Sequence, residues 1–323
     1  MTMIKSALLA GGALLAATTA LQAQEKLLIG STSASSSHYG YFIAVGKIVN
    51  EDVDGIEASV VETGASMDNM RRIMRDQIDL GLVTTNVARH AYDGTNAFDG
   101  EPVDIRLLWV YTAAPQNVVV RADAGIETLA DLEGQRFNPG IKGSATELTA
   151  EAVLGALGIA PDYVRGSTTD VVNMVKDNRI VGYVKSGAGQ KLDASTLDIA
   201  TFTPISILSL DDAQQQTLSD TMKDVTVVAI PEGAGDGLPA YSAWSFGAAV
   251  VAPADMDDDT AYAIVSAIMA DQPAQANAMA SLAGSDLAET TVTYGTVPLH
   301  DGAARWFSEQ GIELPEAIAP VSN

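Results

Sequence analysis

The amino-acid sequence predicts an α/β fold built as two lobes. Short apolar stretches with strand character alternate with amphipathic helical stretches, which is the pattern of a sheet covered by helices. Polar residues recur where the predicted strands end, and this is the edge at which open α/β sheets bind ligands. The chain has 323 residues, more than a single hydrophobic core usually supports, so we expect two lobes.

Residues 1–23 have the pattern of a secretory signal peptide. Lys5 lies in a short polar start, an apolar run covers residues 7–17, and small residues lead to Ala20 and Ala23. This order is typical of export signals, and the run is too short for a membrane-spanning helix. We expect cleavage after Ala23, with Ala20 as the alternative, and a periplasmic location. The chain has no cysteine, so we expect neither disulfides nor a lipid anchor at the cleavage site.

The charge of the chain disfavours whole classes of partner. The formal net charge is −23 at pH 7, which repels nucleic acids and anionic membrane surfaces. An anionic ligand would therefore need donors placed locally, because the field of the whole protein opposes it. The charge itself names no ligand.

Motifs of enzymes and metalloproteins are missing from the sequence. The three histidines are far apart, and no Walker sequence or Gly-x-Ser-x-Gly stretch is present. Zinc sites usually need clustered His and Cys ligands, so we predict no metal, no cofactor and no enzymatic activity. A hydrolase that pairs a serine with a distant histidine stays open as an alternative.

The first predicted unit begins after the signal peptide. Its strands are expected at residues 27–29, 58–61, 80–83 and 107–111. Ser66 is placed to cap a helix in which Met67, Met70 and Met74 repeat at helical spacing, and these methionines favour a core face. Exposed helix N-termini offer free N–H donors and a partial positive charge, which suit a carboxylate or a phosphate.

A second predicted unit begins near Asn117. Its strands are expected at residues 118–120, 181–184, 199–202 and 225–230, followed by a buried strand at 245–251. Ser144 and Glu147 have the spacing of a capping box, which predicts a helix beginning there. Later helices are expected after residues 257–259 and over residues 300–310.

Several segments resemble the TAXI family of solute receptors that serve TRAP transporters. Residues 62–69 (ETGASMDN) are similar to its T-G-G-S-x-x-N stretch, and residues 140–147 to its G-x-P-G-S-G-T-E loop. Residues 125–134 resemble its G-I-x-x-x-x-D-L-K-G segment, which many other receptors share. Residues 298–303 (PLHDGA) resemble its more specific P-L-H-P-G-A ending.

The resemblance implies a two-lobed periplasmic binding protein, type II-like, with the ligand cleft between the lobes. A first lobe would comprise residues 24–115, a second lobe 116–235, and a return segment 236–323 would complete the first lobe. The implied ligand is a small amino or keto acid such as glutamate, glutamine or 2-oxoglutarate, and the implied partner is a TRAP permease. The alternatives are a receptor for an ABC transporter, a periplasmic hydrolase and a sensory module.

The candidate ligand contacts lie in loops where this chain departs from the family pattern. His38 stands where the family has a tyrosine, and Lys142 replaces a proline, which would bring a positive charge to an acidic protein. Capping is the alternative role for Ser66 and Ser144, and core packing is the alternative for Tyr183. The full set of candidates is Ser36, His38, Tyr39, Ser66, Asn69, Thr85, Asn86, Lys142, Ser144, Thr146 and Tyr183.

Overall fold

The computed structural model describes residues 24–271 and 273–321. The predicted signal peptide, residues 1–23, lies outside the described residues. Within the described part of the chain, no helix is both long enough and apolar enough to cross a membrane.

Strands and helices alternate along the chain, as the sequence predicts. The strands are β1 (Glu25–Gly30), β2 (Ile56–Val61), β3 (Leu80–Thr84), β4 (Ile105–Arg121), β5 (Arg136–Asn138), β6 (Asp162–Tyr163), β7 (Gly182–Ser186), β8 (Ile205–Leu208), β9 (Thr226–Ile230) and β10 (Tyr241–Pro253). The helices are α1 (Ser37–Asp52), α2 (Ser66–Ile73), α3 (Thr85–Asp93), α4 (Ala145–Ala156), α5 (Thr168–Lys176), α6 (Ala194–Ala200), α7 (Asp212–Thr221), α8 (Asp258–Ala270), α9 (Pro273–Ala278), α10 (Leu287–Tyr294) and α11 (Asp301–Glu309).

Two long antiparallel strands, β4 and β10, join the two halves of the molecule. The strand order is β2-β1-β3-β10-β4-β7-β5-β6, with β8 also paired to β4 and β9 to β10. The two long strands pair with each other from Ser245 opposite Pro115 to Pro253 opposite Ile105. The two strands separate at the Ser245–Pro115 end, where β4 continues to β7 and β8, and β10 pairs with β9.

The hydrophobic cores divide at this crossing, and we name the halves accordingly. Lobe 1 comprises residues 24–115 and 246–321, and lobe 2 comprises residues 116–245. Phe246 packs in the core of lobe 1, whereas Trp244 and Tyr241 pack in cores of lobe 2. The two-lobed α/β class is therefore confirmed. The predicted bounds at 115 and 235 stay a prediction, and the packing of β10 favours a return some ten residues after 235.

Several local predictions are wrong for identifiable reasons. The expected strands at 107–111 and 118–120 are one strand, because the polar stretch between them is buried against its neighbours. Residues 199–202 are the end of α6 and the turn after it, and Phe202 is 81% exposed. Ala65 rather than Ser66 occupies the N-cap of α2, with φ 67°, and Met74 ends that helix 54% exposed.

The segment at residues 298–303 closes lobe 1. Leu299 bridges to Leu107, and the backbone N–H of His300 donates to the Leu107 carbonyl at 2.9 Å. The His300 ring accepts from the Gly302 N–H at 3.2 Å and so caps α11. A β-carbon built on Gly302 would lie 2.2 Å from the Asp258 carbonyl oxygen. This motif therefore docks α11 onto α8.

We expect Gly302→Ala to lower the free energy of unfolding by about 1–3 kcal/mol, because the added methyl forces α11 away from backbone of α8. Urea denaturation of the protein measures this. Gly155→Ala is the matched helical control: a β-carbon there meets nothing within 4 Å, and better helix propensity should stabilise by roughly 0.5–1 kcal/mol. Equal stability of the two variants would contradict the packing role of Gly302.

Candidate functional site

The N-terminal ends of helices from both lobes meet between the lobes. Helices α1, α2 and α3 follow the ends of β1, β2 and β3 in lobe 1, and α4 and α6 come from lobe 2. Parallel strands place the start of each following helix at the same edge of the sheet. The region between the lobes is therefore rich in backbone N–H donors and short polar side chains.

The carboxylate of Asp193 in lobe 2 binds the first turn of α1 in lobe 1. Its Oδ2 accepts from the Ser36 hydroxyl and from the Ser37 backbone N–H, both at 2.8 Å. The Ser37 hydroxyl in turn accepts from the Ala194 N–H at 2.8 Å. Asp193 also caps its own helix α6, where it accepts from the Ser195 N–H at 3.0 Å. One buried carboxylate thus caps two helices and joins the lobes.

Lys185 neutralises this carboxylate. The Lys185 Nζ lies 3.5 Å from Asp193 Oδ1 and donates to the Ser36 hydroxyl at 3.2 Å. Burial by itself raises the pKa of Asp193. The positive charge of Lys185, the electrostatic influence of His38 and the hydrogen bonds from Ser195 lower this pKa by more, so its net shift is downward. Asp193 is therefore ionised at neutral pH, and the pair is buried as an ion pair.

His38 is held neutral beside this pair. Its Nε2 lies 3.2 Å from the Gly187 carbonyl, which can only accept, so Nε2 carries the proton. Its Nδ1 lies 2.8 Å from the Tyr111 hydroxyl, which then donates. Burial lowers the pKa of His38 to about 4; Asp193 opposes this shift and Lys185 adds to it. The imidazole therefore joins α1 to a lobe 2 carbonyl without a charge.

A second set of contacts joins the lobes at the start of α2. The backbone N–H groups of Met67 and Asp68 both donate to the Gly143 carbonyl, at 3.0 and 3.2 Å. A further hydrogen bond between the lobes runs from the side-chain amide of Asn86 to the Thr149 hydroxyl at 3.2 Å. Lobe 2 thus supplies acceptors to the first turns of both α1 and α2.

A small cavity of about 40 Å³ remains between the lobes. Its polar lining is Thr32, His38, Ser66, Thr84, Ser144, Thr146, Lys185 and Ser186, and the rest is Ala65, Leu82, Ile141, Ala145 and Ala248. This volume holds a few waters and is far below the roughly 300–1,000 Å³ of sites for drug-sized ligands. In this closed arrangement the cavity is therefore too small for such a ligand.

Four of the predicted contacts line this cavity: His38, Ser66, Ser144 and Thr146. Ser36 lies next to it through its bond to Lys185. That these side chains bind ligand stays a prediction.

Three further lobe 1 candidates support the local structure around the cavity. The amide of Asn69 donates to the carbonyls of Ser31 and Leu82 at 2.9 and 2.8 Å. The Thr85 hydroxyl accepts from the Gly247 N–H at 2.9 Å. Asn86 makes the interlobe bond described above. These three hold the loops in place, and none of them lines the cavity.

Tyr39, Lys142 and Tyr183 are not brought to the cavity. Tyr39 is half-buried and Lys142 is exposed. Tyr183 is buried in a lobe 2 core, where its hydroxyl lies 2.7 Å from that of Thr196. The expected capping box at Ser144 forms only in part, because the Glu147 carboxylate accepts from the N–H of Gly143 rather than from that of Ser144.

The two charged residues of the site, Lys185 and Asp193, are not among the residues predicted from the sequence. Lys185 lies in β7 directly after the predicted strand 181–184, so the strand-end rule used elsewhere could have found it. Asp193 precedes a helix, which is the usual position of a capping aspartate. Its contact with lobe 1 spans 156 to 157 positions of the sequence, and no local pattern indicates such a contact.

The site gives no support to a serine hydrolase. The rings of His38 and His300 make no hydrogen bond to a serine hydroxyl among the described residues; His38 bonds to Tyr111 and Gly187, and His300 caps α11. A nucleophile and its base must lie within hydrogen-bond reach of each other. In residues 24–271 and 273–321, no cluster of three or more His, Asp or Glu is placed to hold a metal ion.

A larger groove of about 610 Å³ lies on lobe 2, away from these loops. It runs between α6 and residues 233–238, and its lining includes the apolar Leu192, Leu197 and Leu238 as well as the charged Lys191 and Asp236. The smaller cavity is the stronger candidate site, because there the helix N-termini and a buried cation converge. Volume alone supplies no polar recognition.

Comparison with known proteins identifies the family of the chain. The model of the NMT1-like family matches residues 29–311, most of the chain. The match includes both lobes and all the residues of the cavity.

Solved structures show the same fold at low sequence identity. The periplasmic binding protein BugD is 14% identical with a TM-score of 0.54, over 90% of this chain and 99% of that one. A ligand-binding component of an ABC-type import system from Staphylococcus aureus, solved with zinc, is 14% identical with a TM-score of 0.50, over 92% and 97%. An ancestral arginine-binding protein bound to arginine is also 14% identical with a TM-score of 0.50, over 80% and 99%. At this identity the likeness shows the fold.

We expect Asp193→Ala to open the lobes. Keeping them closed would leave Lys185 buried without its partner, which costs about 3–5 kcal/mol, whereas opening returns the lysine to water. Small-angle X-ray scattering should show a larger radius of gyration than for the native protein. Asp198→Ala is the control on the same helix, because Asp198 makes only an exposed pair with Lys176. Native compactness of Asp193→Ala would contradict the role of this carboxylate.

We also expect stability to fall between about pH 6.5 and pH 4 through His38. Its pKa is lower in the folded protein, about 4, than the ordinary 6.5, so the unfolded chain binds the proton first as the pH falls. The loss from this group is about 2 kcal/mol at pH 5. Denaturation at pH 7.5 and pH 5 should therefore show a smaller pH-dependent loss in His38→Gln. Identical pH dependences of the two proteins would rule out His38 as the source.

Proposed function

The chain belongs to the NMT1-like family of periplasmic solute-binding proteins, and on this basis we propose that it captures a small organic acid in the interlobe cavity. We propose further that it works in the periplasm and delivers this acid to a TRAP-type permease. The ligand would bridge the lobes and favour a closed form, which the permease recognises.

The proposal that the ligand is an acid rests on the buried ammonium of Lys185 at the cavity. It is the one formally charged side chain of the cavity lining, and the first turns of α2 and α4 lie beside it. Positive partial charges of helix N-termini add to an ammonium, and together they favour a carboxylate. These donors are placed locally, as the net charge of the chain requires for an anionic ligand.

The hydrogen bonds between the lobes support a receptor that closes around its ligand. Ser36, Ser37 and Met67 of lobe 1 bond to groups of lobe 2. A ligand shifts the balance toward the closed form only by contacts it makes there and not in the open form. A small acid held between Ser66 of lobe 1 and Lys185 of lobe 2 makes such contacts.

The choice of a TRAP permease rests on the motif resemblance at residues 62–69, 140–147 and 298–303. A receptor for an ABC importer is the second candidate, because one structural neighbour is described as part of an ABC-type import system. Uptake into membrane vesicles supplied with the receptor separates the two: a TRAP system responds to an ion gradient, and an ABC system to ATP.

A thermal-shift screen of the mature protein tests the acid, after unfolding and refolding to remove any ligand that copurifies. Glutamate, glutamine, 2-oxoglutarate and other small acids are compared. A ligand at about a hundred times its Kd adds roughly 2.7 kcal/mol, which raises the Tm by several degrees. We expect at least one acid to do so, and this shift to disappear in Lys185→Met.

Lys142→Met is the matched control, since Lys142 is exposed and should leave the shift unchanged. If the thermal shift were lost in Lys142→Met but kept in Lys185→Met, the ligand site would lie at the loop of residues 140–147, which the sequence favours. No shift with any acid would overturn the proposed ligand class.

A further inference from the structure

We propose that the ligand is a small oxo or hydroxy carboxylate and not an α-amino acid, an inference that rests on the proposed function. The cavity offers donors and one ammonium but no free carboxylate to receive an ammonium group. This narrows the ligand class from amino or keto acids to acids without an amino group.

The lining itself contains no acidic residue. Its polar members are hydroxyls, the neutral imidazole of His38 and the ammonium of Lys185. A ligand ammonium in this cavity would therefore meet Lys185, a like charge, at close range. Asp193, 3.5 Å from Lys185, offsets part of this repulsion. The larger cost is a buried ligand ammonium that has no charged acceptor among the lining residues. An oxo or hydroxyl group meets the same surroundings without this cost.

The carboxylate that pairs with Lys185 already has a full set of partners. Asp193 is fully buried and accepts from Ser36, Ser37 and Ser195 while it pairs with Lys185. A carboxylate holds about four good acceptor positions, and these partners occupy them. Taking Asp193 for a ligand ammonium would undo the contact that joins α1 to α6.

Two further acids flank the loops, and each is engaged within its own lobe. The Asp68 carboxylate accepts from the Gly64 N–H and from Arg72, both at 3.0 Å. The Glu147 carboxylate accepts from the Gly143 N–H at 2.8 Å and from Arg165 at 2.6 Å. Neither residue lines the cavity.

Free hydroxyls complete the recognition of an oxo acid. Thr32 of lobe 1 and Thr146 of lobe 2 are 4% and 8% exposed and line the cavity. Within the described residues, no side-chain hydrogen bond involves either hydroxyl. Each can donate to a carboxylate or to a carbonyl oxygen. A ligand oxygen between them would gain bonds from both lobes, whereas an ammonium there would lack a charged acceptor.

Matched pairs of acids test this inference by isothermal titration calorimetry on the refolded mature protein. The pairs are 2-oxoglutarate with glutamate, pyruvate with alanine, and 2-oxoisovalerate with valine. Each pair shares its carbon skeleton and carboxylates and differs only at the α-position. We expect the oxo acid to bind at least tenfold more tightly in every pair that binds, since leaving a buried charged group without a partner weakens binding by roughly that factor or more.

The outcomes separate this inference from the proposed function. An amino acid that binds as tightly as its oxo partner, or more tightly, overturns the inference and leaves the acid receptor intact. Failure of every oxo and amino acid to bind overturns both. Tighter binding of the oxo acid supports both.

Thr146→Val provides a second measurement in the same experiment. The substitution keeps the side-chain shape and removes one free hydroxyl, so the oxo acid should bind about five- to tenfold more weakly, with the Tm of the free protein nearly unchanged. Thr221→Val, at an exposed position that ends α7, is the control and should bind as the native protein does. Unchanged affinity in Thr146→Val would overturn the assignment of the hydroxyl as a ligand donor.

Discussion

The buried carboxylate of Asp193 is the interaction on which the closed arrangement depends. It lies where the N-terminus of α1 from lobe 1 meets the N-terminus of α6 from lobe 2, and it caps both. Such a group is tolerable in the interior only because Lys185 neutralises it and several donors surround it. The same requirement keeps Lys185 in place beside the cavity, so the structural contact and the proposed anion site share one ammonium.

The binding properties of the site depend on helix ends, because a helix cannot satisfy the hydrogen-bonding groups of its own first turn. The first N–H groups of a helix have no partner within it, and in this closed form lobe 2 supplies acceptors to α1 and α2. Separation of the lobes would expose these donors to water, and closure around an acid would give the cavity's free hydroxyls a partner. Ligand binding and lobe closure therefore depend on the same type of hydrogen bond.

Local patterns predicted the fold better than the site. Met67 and Met70 are buried on α2 as their spacing indicates, because a helix face is a property of neighbouring residues. Three candidates from the loops with the family resemblance, His38, Ser66 and Thr146, line one cavity. The resemblance did not identify the cation, since Lys142 stood in one of these loops while Lys185 reaches the cavity from β7. Which groups of two lobes face each other is set by their packing, and a single sequence does not carry that information locally.

The position of β10 has a consequence for the order in which the chain can fold. This strand lies between β3 and β4 at the centre of the lobe 1 sheet, yet it follows almost all of lobe 2 in the chain. As the polypeptide emerges from its N-terminus, β3 and the first half of β4 have exposed edges until residues 246–253 arrive. Unpaired edges invite association with other chains. Lobe 2 is one continuous segment and can assemble first. The sheet of lobe 1 can be completed only after residues 246–253 have been synthesised.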